Sequence, residues 1–223
     1  MKKGLLITID GPAGSGKSTV SRLLAKKLSY LYLDTGALYR AVAWQVMRNG
    51  TSATDEEGVA ELCRRTEIRL HLVDDFLKVF VDAQDVTEKI RTEPVGLLAS
   101  TLSAMQVVRS SLLTIQRESG KKGGIIAEGR DMGTVVFPDA DLKFFLDADV
   151  EERVRRRYME LVVRGEKVNY QSLKKDLLCR DRQDRERVVA PLKIPEGAIL
   201  VDSTQLSIDA VVKAMLAAIP KQR

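Results

Sequence analysis

Gly11-Pro12-Ala13-Gly14-Ser15-Gly16-Lys17-Ser18 carries the most specific chemistry in the chain, because it satisfies the G-x-x-x-x-G-K-[ST] pattern in full. Three glycines allow backbone amides to surround phosphate oxygens, and the positive end of a following helix adds to the attraction for an anion. The nine residues Gly11 to Thr19 are therefore expected to bind the triphosphate of a nucleotide. Lys17 should reach the β and γ phosphates, and the Ser18 hydroxyl is placed to hold Mg²⁺. An acid at a strand end, Asp10, Asp34 or Glu128, would assist the metal. A second candidate group is the arginine-rich stretch Glu151 to Tyr158. At helical spacing Arg153, Arg156 and Arg157 share one face and could close together on phosphates. The competing reading is a solvated helix with Glu152 bridged to Arg156.

Elements of a particular kind must position these groups. Five short apolar runs each end in an acid: Leu5 to Asp10, Tyr30 to Asp34, Ile125 to Glu128, Leu142 to Asp147 and Ala198 to Asp202. Runs of that kind, separated by amphipathic stretches, predict a five-stranded parallel sheet flanked by helices, an α/β fold whose strand ends line one ligand-binding edge. The P-loop follows the first run and precedes an amphipathic helix over Thr19 to Leu28, as the motif requires. Between Asn49 and Ile90 the pattern changes. Thr54-Asp55-Glu56-Glu57 reads as a capping box for a helix through about Arg65; Ile68, Leu70 and Leu72 alternate as in a one-sided strand, and a tight turn at Val73 to Phe76 leads to a second strand ending near Val81. One amphipathic helix is expected from about Glu93 to Ser119. The predicted organisation is a P-loop core (1–48, 91–150 and 191–223), a small antiparallel insert (49–90) and a helical lid (151–190).

Composition narrows the partners. The 223 residues, 44% hydrophobic, can bury a sizeable core. No apolar run reaches the roughly 20 residues of a membrane span. The start is too short in apolar residues for a secretory signal, and Cys63 and Cys179 suggest neither disulfide nor metal site. A cytoplasmic monomer with no membrane contact is expected. The net charge of +5 implies anionic ligands. Because the arginines between 151 and 190 are nearly free of aromatics, nucleic acid is not the expected partner. The lone histidine, His71, falls on the polar side of an insert strand, and no Asn-Lys-x-Asp string for reading guanine occurs.

Three further strings, Asp34-Thr35-Gly36-Ala37-Leu38-Tyr39-Arg40, Glu128 to Ala140 (EGRDMGTVVFPDA) and Arg180 to Leu192 (RDRQDRERVVAPL), resemble the bacterial cytidylate kinases in order and spacing from the P-loop to Asp202. The resemblance implies an ATP-dependent transfer to CMP or dCMP; Lys17 of the P-loop and Arg153 and Arg157 of the arginine-rich helix face are expected to act on the transferring group. It also implies that Arg40, Arg130 and the Thr35 hydroxyl bind the acceptor phosphate, and that Asp131, Arg109 and Ser100 read cytosine. Arg180 and Asp184 would then contact the ribose, Arg187 would be a further acceptor-side arginine, and the insert would be the acceptor-binding extension of longer family members. Relatives vary at three of these positions, with Ser for Thr35, Gly for Ser18 and Asp for Glu128. Other small-acceptor kinases, for UMP, AMP or shikimate, share the P-loop and stay open on that motif alone.

Overall fold

The computed structural model describes residues 4–73 and 76–220. In chain order it runs β1 (Leu6–Asp10), α1 (Lys17–Leu28), β2 (Leu31–Asp34), α2 (Thr35–Asn49), α3 (Glu56–Arg65), β3 (Ile68–Val73), β4 (Phe76–Val81), β5 (Gln84–Asp85), α4 (Glu93–Leu102) and α5 (Gln106–Gly120). The second half continues with β6 (Ile125–Gly129), β7 (Leu142–Asp147), α6 (Val150–Val163), α7 (Tyr170–Glu186), β8 (Ile199–Asp202) and α8 (Ile208–Ala218).

All five predicted core strands form one parallel sheet in the order β2-β6-β1-β7-β8. Residues such as Ile7, Ile9, Ile125, Ile126, Phe144 and Leu146 are fully buried, which explains their continuous apolar runs. One face packs on α1 and α8 through Val20, Leu24, Val211 and Met215. On the other face, Leu33, Ala127, Met132 and Phe137 form the core. Because β1 is central, the loop after Asp10 emerges in the middle of the edge where Asp34, Glu128 and Asp147 also end. Sheet order thus gathers acids far apart in sequence around the P-loop.

The insert is a three-stranded antiparallel sheet, β3-β4-β5, preceded by α3. Its helix is capped by Asp55, which accepts from the Gly58 amide, rather than by Thr54. The expected turn at Val73 to Phe76 falls on residues 74 and 75, outside the described residues. β5 is an additional strand. It is reached through Asp82 and Ala83, both at positive φ (47° and 66°), a two-residue hairpin without the usual Gly or Asn. The Asp82 carboxylate stabilises that corner by accepting from the Glu67 amide and the Gln45 side chain. The insert shares its apolar core with α2, α4 and α5, through Val59, Leu62, Val79 and Val81 against Leu38, Val42, Leu102 and Leu112.

The expected single helix over Glu93 to Ser119 is two helices, broken at Ser103-Ala104-Met105. Local bonds close the break: the Ser103 hydroxyl donates to the Ser100 carbonyl at 2.7 Å and the Met105 amide to the Leu102 carbonyl at 3.0 Å. Side-chain competition for backbone groups is what lets a serine stop a helix without glycine or proline. In the 151–190 region, α6 and α7 pack against each other over the sheet edge.

Candidate active site

The loop between β1 and α1 needs its glycines. Gly11, Gly14 and Gly16 have φ of 154°, 76° and 90°, and a Cβ on Gly11 would lie 2.0 Å from the Leu146 carbonyl oxygen. No side chain caps the first turn of α1, so its amides face outward unpaired by any side chain. Lys17 curls back over the loop, its Nζ donating to the Pro12 carbonyl (2.6 Å) and lying 3.3 Å from Ser15 Oγ. Burial, with Arg130 nearby, lowers its pKa to about 7 against the pull of Glu128, Asp184 and Asp10. Ala13 to Thr19 line one side of a cleft of ≈ 900 Å³, which Gly11 and Pro12 do not line.

The three strand-end acids are used differently. Asp10 accepts from the Met132 and Gly133 amides at 2.8 and 2.7 Å, which ties the π-turn Met132–Val136 to β1. Burial raises its pKa to about 6 despite those bonds. Asp34 caps α2, accepting from the Ala37 amide at 3.1 Å, and its other oxygen is 3.8 Å from Arg91. Glu128 accepts from the Tyr32 hydroxyl through Oε1, whereas its Oε2 is buried with no hydrogen-bond partner among the described residues. Burial and Asp34 raise its pKa, opposed by Lys17, Tyr32 and the Ser18 side chain. An orphaned carboxylate oxygen beside a P-loop serine is what a divalent cation would satisfy. The donor set therefore fits Mg²⁺ at Ser18 and Glu128, with phosphates as the remaining ligands.

On the opposite wall the predicted acceptor residues come together as an alternating chain of charges. Arg109 pairs with Asp131, Asp131 lies 3.8 Å from Arg187, Arg187 lies 3.7 Å from Asp184, and Asp184 accepts from Arg130 Nε at 2.8 Å. The helix break supplies the clamp. Ser103 O accepts from Arg109 at 2.9 Å and Ser103 Oγ from Arg187 at 3.1 Å. Asp131 is 2% exposed, and the guanidinium groups of Arg109 and Arg187 face its two oxygens. Asp184 is paired with Arg130 and Arg187, while Arg180 pairs with Glu93. Ser100 sits beside this chain, its hydroxyl 3.4 Å from Gln183 Oε1 and its carbonyl accepting from Gln183 Nε2, which joins α4 to α7. Thr35 is turned inward and donates to the Glu128 carbonyl at 2.7 Å, so its proton is not free for a ligand. Arg40 differs from the other arginines of this wall. It donates only to the Ile90 and Thr92 carbonyls (3.3 and 3.4 Å) and has no carboxylate partner among the described residues.

The lid corrects one expectation. Arg153 does not face the cleft; it is 2% exposed and donates to the Ala13 and Ala148 carbonyls while pairing with Asp181 at 2.6 Å. Arg153 is a clamp between the P-loop, the start of α6 and α7, because its early position on α6 directs it into the helix pair rather than over the loop. Arg156 is split between Glu152 (2.8 Å), Ser203 and the Ser15 carbonyl, so the competing Glu152 pairing is present too. Arg157 does face the cleft, held by Glu93 and Glu160.

Sequence reasoning missed three contributors. Glu93 joins Arg157 and Arg180, and no local pattern points to it because its partners lie on α6 and α7. Ser103 lay inside an apparently continuous helix. Tyr32 had a signal, since it lies two residues before Asp34 on one strand and so on the same face.

Comparison with known proteins places the chain. The family model described as "Cytidylate kinase" matches residues 7–221. A protein named cytidylate kinase from Citrifermentans bemidjiense is 50% identical over 96% of this chain and 92% of its own. Another of that name from Bacillus subtilis is 46% identical over 100% of this chain and 99% of its own. Among solved structures, a gluconokinase from Sinorhizobium meliloti aligns with a TM-score of 0.50 at 16% identity, over 97% of this chain and 92% of that one, a likeness of fold. The chain belongs to the cytidylate kinase family and is a phosphotransferase.

Proposed function

We propose that this cytidylate kinase family member transfers the γ-phosphoryl group of ATP to CMP or dCMP, giving ADP and CDP or dCDP, as a cytoplasmic monomer. The observation that carries the reading is the pairing of two different anion sites across one cleft: a backbone cradle with Lys17 on one wall, and on the other Arg130 together with Arg40, which has no ion-pair partner among the described residues.

In this reading Gly11 to Thr19 bind the triphosphate, and Leu206, Ile208 and Val211 supply an apolar wall for the donor base at the same end of the cleft. Ser18 and Glu128 would hold Mg²⁺, which when bound offsets charge on the donor phosphates. Arg40 and Arg130 hold the acceptor phosphate, with Thr35 beside them. The carboxylate of Asp131, positioned by Arg109 and flanked by Ser100, accepts from the exocyclic amine of cytosine; uracil would present a carbonyl there and meet repulsion. Arg180 and Asp184 contact the ribose, and Arg187 fixes Asp131 and Asp184 together. The acceptor oxygen is already anionic, so no strong base is required, and catalysis rests on alignment and charge neutralisation by Lys17 and Arg157. Closure of residues 151–190 over the cleft, relative to the core and the 49–90 insert, excludes water.

Phosphorus NMR of the protein with Mg·ATP and CMP tests this directly. The β-phosphate signal of CDP should grow as γ-phosphate is lost. Loss of γ-phosphate to orthophosphate alone would overturn the proposal.

A further inference from the structure

The cleft arginines differ in what neutralises them, and Glu93 stands apart among their partners. Asp131 and Asp184 pair with arginines inside the acceptor wall. Glu93, at the first turn of α4, instead reaches across to the lid, with Oε2 on Arg157 of α6 and Oε1 on Arg180 of α7, both at 2.6 Å. It also adjoins the unpaired arginine. Arg40 donates to the Thr92 carbonyl, immediately before Glu93, and a Cβ on Gly96, one turn further along α4, would lie 2.8 Å from Arg40 Nη1. Two guanidinium groups thus hold one carboxylate, and a third, Arg40, lies alongside, next to where the acceptor phosphate would sit. Arg157 and Arg180 hold Glu93 ionised, its pKa lowered although burial acts in the opposite direction.

We propose that Glu93 is a positioning residue that occupies Arg157 and Arg180 while the acceptor site is empty, and that the acceptor's arrival, with its phosphate on the neighbouring Arg40 and its ribose on Arg180, displaces it. Arg157 is then released to the transferring group only when an acceptor is in place. The device would suppress the wasteful reaction in which a water oxygen bonds to the γ-phosphorus, the bridging oxygen leaves with ADP, and the proton of water passes to the orthophosphate product. This rests on the function proposed above. Its chemistry is exchange of partners on two guanidinium forks, the ribose oxygens taking Arg180 and the transferring phosphoryl oxygens taking Arg157 from the same carboxylate.

Glu93→Gln keeps the shape and removes the charge. ADP release from Mg·ATP without acceptor should rise about tenfold, and the KM for CMP should fall, because the acceptor no longer competes with a carboxylate for Arg180. A fall in kcat with acceptor-free hydrolysis unmoved would show that Glu93 holds the arginines in their productive place, which overturns the proposal; so would a variant indistinguishable from the parent. A second measurement on the unaltered chain guards against misfolding of the variant. Phosphite, added with cytidine until it competes with CMP, should stimulate ADP release, and a flat response overturns the proposal. CMP-dependent CDP formation by the unaltered chain reports separately on the function itself.

Discussion

The two walls of the cleft are built on opposite plans. On the proposed donor wall the groups available to phosphate are backbone amides of one short segment, fixed by glycine φ values that no other residue adopts without strain and by Lys17 folded over its own loop. On the proposed acceptor wall the polar groups are side chains from α2, α4, α5, α7 and the turn after β6, where Arg109, Arg130, Arg180 and Arg187 are each held by a carboxylate and Arg40 has no ion-pair partner among the described residues. A backbone cradle accepts any triphosphate and is hard to alter piecemeal. A network of ion pairs sets selectivity, because each substituted member leaves a buried charge behind.

The contrast predicts where substitutions act. Lys17→Ala should lower ADP release by at least ~10³-fold while the melting midpoint changes little, since the group acts on charge that develops during transfer. Near-normal turnover would break the assignment of the donor wall. Next in size is a matched pair on α6. Arg153→Met leaves Asp181 uncompensated and should cost about 3–5 kcal/mol in urea unfolding. Arg157→Met, from a more exposed site, should cost less than about 1 kcal/mol yet lower kcat by roughly 10²-fold. The reverse pattern would return Arg153 to the chemistry.

The donor wall was legible in the sequence and the acceptor wall only in part, for the same structural reason. A contiguous loop between a strand and a helix leaves its signature in consecutive residues, and the five buried strands leave theirs in apolar runs. Ion pairs between helices leave none. Spacing alone put Arg153 on one face with Arg157, but a helix face says nothing about which neighbour it meets, and Asp181 and the Ala13 carbonyl claim Arg153 first. The break at Ser103 was hidden because serine, unlike glycine or proline, also occurs inside helices. The β5 hairpin was hidden because Ala83 takes a positive φ usually left to glycine or asparagine.

Smaller effects sharpen the comparison. Asp131→Asn should raise the KM for CMP by about 10–100-fold and that for ATP by less than about threefold, because an amide presents a donor to the cytosine amine. Equal rises would remove Asp131 from base reading. The smallest signal is protonic. With Lys17 near 7 in the ligand-free chain, its amine is largely neutral at about pH 8, and triphosphate oxygens should draw its pKa back up. Calorimetry of ATP binding in buffers of different ionisation enthalpy should therefore show uptake of close to one proton at about pH 8 and little at about pH 6, where Lys17 is already charged. Lys17→Ala should abolish the uptake.

The central claim, that a general donor cradle faces an acceptor wall selective for cytosine, is tested most directly by ADP release from Mg·ATP with CMP, dCMP, UMP, AMP and GMP in parallel. The account predicts rapid release with CMP or dCMP, much slower release with UMP, and background with the purine monophosphates. Equal or greater activity with UMP or AMP would contradict it.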